Sequence, residues 1–67
     1  MEKLIIDTKK LNILQAERGM TNDKFAKFLG ISILTLFDIK NGSRKATLRT
    51  IGKIANALNV GVADIVI

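Results

Sequence analysis

Thr21-Asn22-Asp23-Lys24-Phe25-Ala26-Lys27-Phe28-Leu29-Gly30-Ile31-Ser32-Ile33-Leu34-Thr35-Leu36-Phe37-Asp38-Ile39-Lys40-Asn41-Gly42 reads as two brief helices crossing steeply around a connection of about three or four residues. Thr21 can cap a helix over 22–29, in which Phe25, Phe28 and Leu29 fall at i, i+3, i+4 spacing, and Gly30 stands where a left-handed exit is needed. Ser32 can cap a second helix over 33–40, in which Leu36 and Ile39 share a face before Asn41-Gly42 closes the run. A steep crossing brings two backbones close at one point of the first helix, which calls for a small residue. Ala26 supplies it beside the large Phe25, and Ile31 can plug the turn into the core.

The flanking sequence extends the same helical pattern. Asp7 or Thr8 can cap a helix over 9–18 that turns Leu11, Leu14 and Ile13 inward and ends at Gly19. Thr47 can cap a helix over 48–58 whose stripe is Leu48, Ile51, Ile54, Ala55 and Leu58. The tail over 60–67 is ambiguous. Val62, Ile65 and Val66 suit a fifth helical turn, the favoured reading, whereas Ile65-Val66-Ile67 also suits a strand meeting Leu4-Ile5-Ile6. The expected core is Leu11, Leu14, Phe25, Ala26, Leu29, Ile31, Leu36, Ile39, Leu48, Ile51, Ile54, Ala55, Leu58 and Val62.

A chain of 67 residues has room for one hydrophobic core, so a single all-α domain over 1–67 is expected. At 48% hydrophobic and 25% charged it is too apolar for a disordered tail and too often interrupted by charge for a membrane span. The chain has no Cys and no His, which excludes thiol and imidazole chemistry, disulfides and the usual zinc sites. Asp7, Glu17, Asp23, Asp38 and Asp64 fall on separate segments, and no nucleophile adjoins a recognisable base. No enzymatic activity, metal or cofactor is expected. With no secretory leader evident, the expected address is cytoplasmic. The net charge of +5 favours polyanions such as nucleic acid or acidic lipid, no membrane partner is expected, and the three Phe residues, without Trp or Tyr, make a poor stacking platform for single strands.

The residues Thr21-Asn22-Asp23-Lys24-Phe25-Ala26 through Lys40-Asn41-Gly42 resemble the helix-turn-helix of the phage-repressor family, also called Cro-like or XRE-like. Downstream, Thr47-Leu48-Arg49-Thr50-Ile51 and Ile54-Ala55-Asn56-Ala57-Leu58-Asn59-Val60 resemble that family's fourth helix and its exit, so the likeness runs from about Leu11 to Ile65. It implies a compact four- to five-helix, lambda-repressor-like DNA-binding domain with its helix-turn-helix at about 22–41. The helix over 33–40 would lie in the major groove and the preceding one would cross the backbone. The chain departs from the family in several places: Asn22 and Gln15 replace a common Gln and Arg, Lys40 replaces a frequent Glu, and Ala46 replaces a customary Pro.

Two functions from different classes follow. In the first, the protein is a transcriptional regulator binding double-stranded DNA. The outward residues Ser32, Ile33, Leu34, Phe37, Asp38 and Asn41 would face bases, and Asn22, Lys40, Arg44, Lys45 and Arg49 would meet phosphates. Between Ile39 and Ala63 there are five basic residues, Lys53 included, and no acidic one. In the second, the apolar Ile33, Leu34 and Phe37 grip another helix-turn-helix repressor, making the protein a phage-type modulator or antirepressor, with Asp38 pairing to a cationic side chain of that partner. Self-association as a homodimer is a further expectation, because operator binders place two recognition helices in successive grooves.

Overall fold

The computed structural model describes residues 3–42 and 46–67. In chain order the elements are β1 (Lys3–Leu4), α1 (Thr8–Arg18), α2 (Asn22–Leu29), α3 (Ile33–Lys40), β2 (Ala46–Thr47) and α4 (Leu48–Leu58), followed by a 3-10 turn over Val62–Asp64. Each α-helix starts at an oxygen that accepts an otherwise unpaired amide. Asp7 Oδ1 accepts from Lys10 N at 3.2 Å, Thr21 Oγ1 from Lys24 N at 3.3 Å, Ser32 Oγ from Thr35 N at 3.1 Å, and Thr47 Oγ1 from Thr50 N at 3.2 Å. Gly30 closes α2 at φ +76°, a left-handed conformation open to glycine at little cost.

The core is an inward stripe from every helix: Leu11 of α1; Phe25, Ala26 and Leu29 of α2; Leu36 and Ile39 of α3; Ile51, Ile54, Ala55 and Leu58 of α4. Leu14 and Ile31 pack against it while remaining partly exposed. Three expected inward residues point elsewhere: Ile13, Leu48 and Val62 are 51%, 45% and 40% exposed.

The reason for the last two is pairing between distant segments. β1 and β2 run antiparallel with Leu4 opposite Ala46, and Ala46 rather than Leu48 closes the core at that end. At the chain's far end both readings of the tail are realised in part. The 3-10 turn stops at Asp64, and the backbone then straightens so that Val66 bridges Ile6 antiparallel. Asp7 N donates to Ile65 O at 2.8 Å, and Ile67 N to Ile5 O at 2.9 Å. This pairing sinks Ile6 and Ile65 fully into the core and leaves Val62 on the rim of the turn.

Candidate nucleic-acid interface

α2 and α3 are joined by Gly30-Ile31-Ser32. The turn is pinned from within, because Ile31 N donates to Ala26 O at 3.1 Å while the Ile31 side chain packs on the core. α3 buries Leu36 and Ile39 and turns its other side away from the protein. On that side Leu34 is 72% exposed and Phe37 42%. Ser32 and Asn41 are exposed at its two ends.

The outward set expected for α3 needs two corrections. Ile33 is half-buried and packs against the core, so the exposed apolar group is a pair, Leu34 and Phe37, and not a trio. Ile33 is the first residue of the helix, directly after the turn whose Ile31 plugs the core, and that proximity draws it in. Asp38 is half-buried and already has an interaction partner. Ser32 is exposed but committed as a cap: its hydroxyl donates to Thr35 Oγ1 at 2.8 Å while accepting from Thr35 N.

The expected phosphate-contacting residues fall into three groups. Arg49 is exposed on α4, one turn before the equally exposed Lys53. Arg44 and Lys45 lie outside the described residues. Asn22 and Lys40 are half-buried and meet each other beneath the start of α2. There Lys40 Nζ donates to Asn22 Oδ1 at 2.8 Å and also to Gln15 Oε1. Gln15 Nε2 in turn donates to Asn22 Oδ1 at 3.0 Å and to Met20 O at 2.9 Å. Gln15, a buried polar side chain, thus has every polar atom paired, as a low-dielectric site requires. Burial lowers the Lys40 pKa from its usual 10.5, since removing water disfavours the charged ammonium.

This node joins α1, the entry to α2 and the end of α3, and neither Gln15 nor Lys40 was assigned that role from sequence. One signal was present: Gln15 follows Leu11 by four residues, which puts it on the buried stripe of α1. A second unassigned residue is Arg18, which donates to Leu14 O at 3.3 Å and to Leu58 O at 3.4 Å, with its guanidinium 5.6 Å from the centre of the Phe28 ring. It joins the ends of α1 and α4 to α2.

Among the described residues no group of acidic side chains is placed to hold a metal ion, and no helix is long and apolar enough to cross a membrane. What the fold presents is a short helix packed on the core through Leu36 and Ile39 after a tight turn, its outer face carrying the exposed Leu34 and Phe37, in a chain of net charge +5. Those features define a helix-turn-helix domain. A family model described as helix-turn-helix matches residues 11–65, and the chain belongs to that family, of the XRE/Cro-like type. The matched residues run from α1 to the end of the 3-10 turn, the same span over which the sequence resembles the phage repressors. The family is one of DNA-binding transcription regulators and not typically enzymatic. Comparison with curated proteins gives no match.

Proposed function

We propose that this protein regulates transcription in the cytoplasm by sequence-specific binding to duplex DNA, with α3 in the major groove. Leu34, Phe37 and Asn41 meet base edges, while Ser32 holds the start of the helix as its cap. Asn22, Arg44, Lys45 and Arg49 contact phosphates, and Lys53, one turn beyond Arg49 on α4, neutralises another. Lys40 contributes chiefly by holding Asn22: with Oδ1 of Asn22 occupied by two donors, the side-chain amide is fixed and its Nδ2 is left to donate outward. A dimer would place two copies of α3 about 34 Å apart, one helical turn of DNA. The observation that carries this reading is the family match across 11–65, which includes both helices of the motif and the turn between them.

The test is binding to a pool of random 20-base-pair duplexes, followed by enrichment. The expected outcome is an enriched sequence whose preference is lost in Leu34→Glu while weak, salt-sensitive binding persists, because a carboxylate on the reading face repels DNA locally without removing the basic groups. Absence of duplex retention at low salt would refute it.

One observation favours a second reading, in which α3 grips a related repressor: the 72% exposure of Leu34 beside Phe37 is an apolar tip of the kind partner sites use. A complex captured from the native cell that survives nuclease and is lost in Phe37→Asp would support it.

A further inference from the structure

We infer that α3 discriminates sequence mainly through thymine methyl groups, which Leu34 and Phe37 contact at neighbouring base pairs. This rests on the reading that α3 enters the major groove. There every base pair presents hydrogen-bonding atoms, and the single apolar feature is the C5-methyl of thymine. Leu34 and Phe37 have no donor or acceptor, so against guanine, adenine or cytosine edges they would strip water from polar atoms and return nothing. Against a methyl group they bury apolar surface on both sides.

The polar residues that would normally set the reading are spoken for. Ser32 and Thr35 bond each other, Lys40 is held by Gln15 and Asn22, and Asp38 is engaged. Asn41 remains as an exposed polar side chain, at the far end of the helix. Leu34 and Phe37 are three residues apart, a rise of roughly 4.5 Å along the helix axis, close to the 3.4 Å spacing of base pairs. Two adjacent thymines, on one strand or on both, match that spacing. The charge of the chain selects DNA over an apolar protein surface as the occupant. The segment from Lys40 to Lys53 is basic with no acidic residue, and Lys24 and Lys27 on α2 and Arg49 and Lys53 on α4 are exposed.

The experiment uses the full chain and the site enriched from the random pool. That site is synthesised with thymine, with uracil replacing one thymine at a time, and with uracil at thymines outside the footprint as a control. Each critical uracil is expected to weaken binding about fourfold, the effect of burying one methyl-sized group, and two together about fifteenfold. With the T·A pair at such a position replaced by C·G, 5-methylcytosine is expected to bind more tightly than cytosine, since the two differ only in the methyl. Leu34→Ala, at a residue too exposed to matter for folding, makes one of the two positions insensitive to the methyl. If a site is enriched but binds equally well with every thymine replaced by uracil, methyl reading is wrong while DNA binding stands. If duplexes are retained but no sequence is enriched, methyl reading falls together with sequence-specific binding, and if no duplex is retained at low salt the DNA reading itself falls.

Discussion

Lys40, the last residue of α3, places its ammonium 2.8 Å from the side-chain oxygen of Asn22, the first residue of α2, so the two ends of the motif are tied through a partly desolvated charge. Gln15 completes the tie from α1. The reading helix is therefore positioned by its far end as well as by the turn at its start. For a domain this small that matters, because the α2–α3 crossing alone leaves an eight-residue helix fixed on one side.

Removing the centre of that node is expected to destabilise the fold. Gln15→Ala strands the Met20 carbonyl and leaves Lys40 with one acceptor, at a cost of about 1–3 kcal/mol. The urea unfolding midpoint checks it, and an unchanged midpoint would show that water replaces the side chain without loss.

The Lys40 charge also gives stability a pH dependence. Its folded pKa lies below 10.5, so between those two values the unfolded chain holds more protons than the folded one, and stability contributed by this group rises with pH. At neutral pH the penalty for burying the ammonium is fully present, and it disappears as pH climbs to 10.5. The readout is the difference between wild type and Lys40→Met, in which every contribution common to the two cancels. It is expected to move in favour of wild type as pH rises towards 10.5, and a flat difference would contradict the burial of this charge.

Arg18→Ala should cost about 1–2 kcal/mol. It removes a cation over the Phe28 ring, worth about 0.5–1 kcal/mol, and a charged donor at the Leu58 carbonyl near the end of α4. In a domain of this size that lowers the melting temperature by about 4–16 °C. Arg18→Lys restores little, since an ammonium does not span both carbonyls and the ring.

Two glycines give opposite signs. Gly30→Ala forces a side chain into φ +76° and should cost about 1–2 kcal/mol, although the added methyl meets nothing within 4 Å. Gly52 lies inside α4 with the same open space and ordinary helical φ, so Gly52→Ala should stabilise by about 0.5–1 kcal/mol. Thermal unfolding of the pair separates backbone strain from packing.

The four α-helices were legible because their signals are local. Thr21, Ser32 and Thr47 cap helices at the positions their side chains predict, and the spacing of Leu36 with Ile39, or of Ile51, Ile54, Ala55 and Leu58, fixes a buried face within one element. Ile6, Ala46 and Ile65 were missed as core because their burial arises from pairings across most of the chain, Leu4 with Ala46 and Ile6 with Val66, which no periodicity records. Leu48 and Val62 were expected inside for the same reason, since a stripe extended past the end of an element does not reveal which neighbour covers it. The exposure of Leu34 and Phe37 followed from the helical period, whereas the inward lean of Ile33 and the Gln15–Asn22–Lys40 node depend on how three segments meet.

The central claim, that the basic helix-turn-helix meets duplex DNA, is tested most directly by the salt dependence of binding. Fluorescence anisotropy of a labelled 20-base-pair duplex across a salt series should give log affinity falling against log salt with a slope of roughly −4, about −0.9 for each phosphate neutralised by Arg44, Lys45, Arg49 and Lys53. Arg49→Ala should make that slope shallower by about 0.9. A slope near zero, or one that Arg49→Ala leaves unchanged, would contradict it.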